Sequence, residues 1–228
     1  MKIPGISSEK KTITQADQAR QANSLRRIQT LIDVVYGLMI VGLFNLLPHP
    51  TQEQLDNRDF FGMYAENGTS LLVVLIGIIL VIIYWGQSTR QFGNLERIDS
   101  KAATLSIIQV FALLIYLYFM RMDNQTDGDE FTLLMESIFM AIAGFIGIFN
   151  WNYCRKMNFF DDYISSEESF ETVYKLYPEP IVASLTIPLA FIGSSWYMAG
   201  WLLLIPVTML MNRRKKKKIE SANTESNT

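Results

Sequence analysis

Leu71-Leu-Val-Val-Leu-Ile-Gly-Ile-Ile-Leu-Val-Ile-Ile-Tyr-Trp85 is an unbroken uncharged apolar run. It has companions at Leu31–Leu47, Ala102–Met120 and Phe131–Trp151. A helix needs about 20 predominantly apolar residues to cross the hydrocarbon of a bilayer. A last apolar stretch, Ile181–Met211, is too long for one crossing, and Pro188 and Gly193-Ser194-Ser195 break it near its middle. It reads as a tight hairpin, Leu176–Gly193 followed by Trp196–Met211. The expected fold is therefore all-α, a polytopic membrane protein with six transmembrane helices. A soluble helical core rarely carries several long, nearly uncharged runs in one short chain.

Composition agrees. Of 228 residues, 50% are hydrophobic and 18% are charged, against about 25% charged in ordinary soluble domains. Mean hydropathy is +0.17 although both ends of the chain are polar. The lone cysteine, Cys154, excludes a disulfide framework and Cys-rich metal sites, and the lone histidine, His49, removes most metal clusters and Ser-His-Asp arrangements. No dinucleotide, phosphate-loop, zinc-protease or hydrolase motif occurs. The longest loop, Asn152–Lys175, has 24 residues, too few for a catalytic domain. The chain reads as no enzyme, with no catalytic residue, cofactor, metal or nucleic-acid partner.

Charge placement fixes an orientation. With a cytoplasmic N-terminus and six crossings, eighteen of the twenty Lys and Arg residues lie on the cytoplasmic side, and only Arg58 and Arg121 fall outside. The positive-inside rule demands this asymmetry. Residues 1–27 are then a cytoplasmic segment without the apolar core of a signal peptide, in which Thr14-Gln-Ala-Asp17 resembles a capping box that starts a helix. Residues 28–212 form the membrane domain, with spans at 31–47, 71–85, 102–120, 131–151, 176–193 and 196–211. Residues 213–228 are a basic tail, expected to be disordered and suited to anionic membrane lipids. Asp161–Lys175 predicts a short cytoplasmic surface helix. The expected location is the cell membrane, with both termini cytoplasmic.

Three acidic residues fall within the spans: Asp33, Glu136 and Glu179. A carboxylate at the bilayer centre costs about 2.5–3.5 kcal/mol on insertion scales. Glu136 and Glu179 lie near span ends, where solvation at the interface accounts for them. Asp33 has more informative surroundings.

Arg27-Ile-Gln-Thr-Leu31-Ile32-Asp33 resembles the Arg-x-x-x-Phe-Ser-Asp signature in the first helix of the endosomal/lysosomal potassium channel family and its bacterial homologues. Arg27 and Asp33 match at the right spacing, while Leu31 and Ile32 stand for Phe and Ser. The family ends its second helix with Trp-x-x-His, followed by an acidic residue and an early Asn in the third helix. Here Trp85 and Asp99 remain, but Ser88 occupies the His position and Ser106 the Asn position. With three members of the family's polar network replaced together, the expectation is a rewired network in which Ser88, Arg90 or Ser106 partners Asp33. Water facing at the membrane surface is the alternative for Asp33.

Leu38, Gly42 and Asn45 share one stripe of helix 1, and Asp33 lies about 140° from Leu38. The resemblance implies a homotetramer with helix 1 around the axis and bulky aliphatic side chains constricting the pore. Leu38 matches the innermost of those positions, whereas Gly42 and Asn45 depart from the outer rows. A ring of Leu gates by dewetting. Packing is the competing role for Leu38 and Gly42, as for Ala143-x-x-x-Gly147 in helix 4. The outer loops carry eight acidic residues against two basic ones, which would concentrate cations at an oligomeric mouth. The favoured reading is a potassium-permeable channel for potassium or other monovalent cations. The alternative is a non-conducting carrier or receptor-like protein that shares the fold.

Overall fold

A computed structural model describes residues 15–126, 128–160 and 166–226. Its helices are α1 (Gln15–Phe44), α2 (Gln52–Asn57), α3 (Phe60–Glu66), α4 (Gly68–Gly93), α5 (Ser100–Thr126), α6 (Glu130–Lys156), α7 (Ser166–Leu176), α8 (Pro178–Ala190), α9 (Ser194–Gly200) and α10 (Leu204–Ser226), with a 3₁₀ turn at Trp201–Leu203. Extended pairing among the described residues is confined to one bridge, Leu95 to Phe160. Among the described residues, five stretches are long and apolar enough to cross a membrane: Ala19–Phe44, Ser70–Gly93, Ser100–Asp123, Glu130–Lys156 and Ser194–Lys216. The all-α membrane architecture expected from the apolar runs is the one observed.

The described part of helix α1 begins at Gln15; Thr14, on which the capping-box expectation rests, lies outside the described residues. Its 30 residues reach about 45 Å, well beyond the roughly 30 Å hydrocarbon. The apolar run therefore marks only the membrane-embedded part of a longer helix.

The helix in the fifth expected span is shorter than the sequence suggests, and it is not among the five stretches long and apolar enough to cross a membrane. Pro178 and Pro180 begin α8, and the helix ends at Ala190, just beyond Pro188. Proline is favoured in a first helical turn because its missing N–H has no intrahelical acceptor there. The 13 residues of α8 cover about 20 Å, against the 18 expected over 176–193. Gly193 then turns the chain at φ 134, a conformation that side-chain-bearing residues rarely adopt. The hairpin is thus where the sequence places it. Its second arm is interrupted by the 3₁₀ turn at Trp201–Leu203. Pro206 explains the interruption, since it has no N–H to offer the Leu202 carbonyl.

The basic tail departs from the disorder expected for 213–228. Helix α10 continues through it to Ser226. Lys and Glu are good helix formers, and nothing after Pro206 breaks the run. Lys215 also meets Glu171 of α7 at 3.1 Å. The expected surface helix is α7, although Thr172 and Val173 are buried and Val173 packs with Ile148 and Trp151 of α6.

Helices α5, α6 and α8 pack together most closely, and α1 lies on α4 and α5. Gly144 faces Pro180 and Ser137 bonds Thr186 at 2.8 Å, so α6 and α8 run antiparallel. A Cβ on Gly144 would lie 2.7 Å from Pro180. Gly144→Ala is therefore expected to cost about 1–3 kcal/mol through overpacking. Gly42 has nothing within 4 Å of a built Cβ, and Gly42→Ala should leave the subunit's stability unchanged. Thermal unfolding of the purified variants separates the two positions. The small-residue pair in α6 is a packing feature, as read: Ala143 is fully buried, and Gly147 abuts Gln109 of α5.

On the side carrying most of the basic residues, two loops are strapped together. The Glu96 amide donates to the Phe159 carbonyl at 2.9 Å, and the Arg97 guanidinium donates to the Asn158 carbonyl at 3.3 Å. Asp99 accepts the Ala102 amide at 2.8 Å, capping the start of α5, and accepts the Tyr153 hydroxyl at 2.6 Å.

Candidate functional site

Helix α1 has two faces. Ile32, Tyr36, Met39 and Leu43 recur at helical spacing and are buried against the rest of the subunit. On the other side, Leu31, Val34, Leu38 and Val41 are exposed, as are Gly42 and Asn45. Leu38 is 64% exposed, the most of any large apolar residue on this helix. Leu38, Gly42 and Asn45 thus lie together on a face that the subunit itself leaves uncovered. An apolar helix stripe of this kind meets lipid or other copies of the chain.

Asp33 points elsewhere. Its Oδ1 accepts a hydrogen bond from Trp85 Nε1 of α4 at 2.9 Å. The expected partners were Ser88, Arg90 or Ser106, and among the described residues none of them bonds Asp33. The reason is geometric: α1 packs directly on α4, and the long indole at position 85 reaches across first. Ser88 is half-buried on α4, and Arg90 and Arg27 are exposed. No ion pair joins Arg27 to Asp33 among the described residues.

Ser106 belongs to a different polar chain. Its hydroxyl accepts from Asn150 Nδ2 at 2.8 Å and donates to the Ala102 carbonyl at 3.1 Å. The Cys154 thiol donates weakly to Asn150 Oδ1 at 3.8 Å, and Gln91 Nε2 approaches Cys154 Sγ at 4.0 Å. This ladder ties α4, α5 and α6 together, and all four of its side chains are buried. Asn150 is its centre and was missed in the sequence, where a single Asn in an apolar run gives no direction.

The two other intramembrane acids also depart from expectation. Glu136 is only 6% exposed and is not solvated at an interface. Its Oε2 accepts the Tyr197 hydroxyl at 3.3 Å. Glu179 lies against Tyr84 and Gln87 of α4, and its Oε1 is buried. Two loop acids serve as helix caps: Asp59 accepts the Gly62 amide at 2.8 Å, and Asp129 accepts the Phe131 amide at 3.1 Å.

A half-exposed apolar face on a long first helix, anchored behind it by an Asp–Trp bond, belongs to a polytopic helical bundle. Solved structures with this fold include two potassium-channel homologues. A crystal structure of a lysosomal potassium-selective channel TMEM175 homologue from Chamaesiphon minutus matches with a TM-score of 0.65 and 12% identity, over 85% of this chain and 98% of that one. The potassium channel MtTMEM175, crystallised as a variant with a nanobody fusion, matches with a TM-score of 0.61 and 18% identity, over 84% and 93%. No family profile matches the sequence, and no curated protein matches it. The fold implied by Arg27, Asp33 and Trp85 is therefore the fold found.

Proposed function

We propose that this chain is the subunit of a potassium-permeable cation channel, assembled as a homotetramer with α1 around the axis. The observation that carries the reading is the uncovered stripe of α1, with Leu38, Gly42 and Asn45 on a single exposed face. The fold neighbours are potassium channels by description, which supports the same use of the fold here. Leu38 supplies an apolar ring that excludes water when narrow. Asn45 supplies a ring of polar groups able to meet a partly hydrated cation. The acidic outer loops raise the local cation concentration at the mouth. Potassium and sodium flux from the purified protein in liposomes tests the reading: cation flux above that of protein-free vesicles supports it, and none overturns it.

Asp33 acts behind the pore, holding α1 on α4 through Trp85. Asp33→Asn keeps an acceptor for the indole and should lower assembly only modestly, whereas Asp33→Leu should lower it strongly. Neither should change the potassium-to-sodium permeability ratio. Size-exclusion chromatography and bi-ionic flux together check this, and a shifted ratio in a normally assembled variant counts against it.

The chain is placed in the cell membrane with both termini cytoplasmic. Here α8 makes the short fifth crossing, and the basic end of α10 contacts anionic lipids. Cysteines introduced at Asn57 and Asn227 should label from opposite sides of intact cells.

A further inference from the structure

A second feature of the subunit lies away from the α1 stripe. Helix α4 packs on α1 and α5, whereas α10 packs on α7 and α8. Between these two groups runs a cleft of about 710 Å³. Its wall is mainly apolar, with Tyr116, Tyr197 and Trp201 among the aromatic residues lining it. Asp123, Glu136 and Glu179 also line it, with Asp123 accepting the Thr132 hydroxyl at 3.2 Å. Glu136 is more than nine-tenths buried, and its Oε1 has no hydrogen-bond partner among the described residues. Glu179 Oε1 is also buried, with Tyr84 and Gln87 beside the carboxylate. Gly144 marks the depth of Pro180, eight residues along α6 from Glu136, so the two acids are offset by about 12 Å.

A carboxylate oxygen held out of water with no donor is costly, and where the group stays ionised rather than taking up a proton a bound cation offsets that cost. The basic residue on the wall, Lys175, already meets Glu171 at 3.8 Å. A metal ion is a poor fit, because no three acidic, His or Cys side chains converge among the described residues. The lining instead suits a cation with a large apolar body, its charge on a carboxylate and its body on aliphatic and aromatic walls.

We propose that this cleft binds an organic ammonium-type cation with an apolar body, one per subunit, with Glu136 as the anionic anchor. The site is separate from the α1 stripe and does not depend on the chain conducting potassium.

Radiolabelled tetraphenylphosphonium tests this on the purified full chain in nanodiscs, because its charge is permanent and its body is apolar. Saturable binding at one per subunit is expected. Glu136→Gln should weaken it at least tenfold per folded protein, and Glu179→Gln by a smaller factor. Ile76→Trp, which adds bulk on the α4 wall of the cleft, should weaken binding at least tenfold without removing either acid. This keeps the test decisive if Glu136→Gln fails to fold. Leu38→Asn should leave binding within twofold. Unchanged affinity in both Glu136→Gln and Ile76→Trp overturns the proposal. Equal competition by neutral tetraphenylmethane also overturns it, marking the cleft as a lipid site. A loss of binding in Leu38→Asn places the probe in the α1 pore and overturns it as well.

Discussion

Potassium flux per folded oligomer is expected to rise roughly tenfold when Leu38 is replaced by alanine or asparagine, and to fall by a similar factor with tryptophan. Tenfold corresponds to about 1.4 kcal/mol of barrier. An apolar ring holds water out until it widens, so the barrier follows side-chain size and polarity. Buried leucines behave differently. Truncating one costs about 2–5 kcal/mol of stability through the cavity left behind. Leu38 is mostly exposed on its own subunit, so Leu38→Ala opens no cavity there, and the yield of folded subunit should hold. Asn45→Leu should act in the opposite sense, cutting flux by removing the polar ring. Flux normalised to folded oligomer checks all four variants. Equal values in the parent and in Leu38→Ala and Leu38→Trp would remove α1 from the pore.

Asn150→Leu is expected to cost the fold about 3 kcal/mol, at the upper end for breaking buried hydrogen bonds. Asn150 is fully buried and joins Ser106 on α5 to Cys154 on α6. Ser106→Ala alone should cost less, since it leaves one amide N–H without that partner while the oxygen of Asn150 stays engaged. The two substitutions together should cost less than their sum, because they share one interaction. Thermal unfolding of the four proteins closes the cycle, and strict additivity would mean that the ladder does not couple α5 to α6.

Long uncharged runs decided the architecture in advance, because a span needs length and apolarity more than particular residues. The hairpin turn at Gly193 was legible for a related reason: Pro188 and the Gly-Ser-Ser run break the helix locally. That Leu38, Gly42 and Asn45 share one stripe of α1 was readable from 100° periodicity, whereas its exposure was not. The partners of Asp33 and Ser106 were not, since a helical register gives the direction of a side chain but not which neighbouring helix arrives there. Trp85 is legible by motif, but nothing in the sequence shows that its indole is the donor Asp33 uses. Glu136 was misplaced because distance from a span end measures depth, not whether neighbouring helices cover the site. Tyr197, sixty-one residues further on, covers it and bonds it. The tail misled because charge density signals disorder in isolation, yet a helix already nucleated in the membrane propagates through lysines readily.

The central claim is that α1's uncovered face surrounds the permeation path. Introducing cysteine at Asn45 and, separately, at Leu75 on the exposed side of α4 tests it most directly, with Cys154 buried and out of reach. A positively charged methanethiosulfonate added during flux should block the Asn45→Cys channel by more than 90% (about a tenfold loss of conductance, equivalent to roughly 1.4 kcal/mol) and leave Leu75→Cys unaffected. Block at Leu75→Cys with free conduction through modified Asn45→Cys would contradict the account and place the pathway along α4.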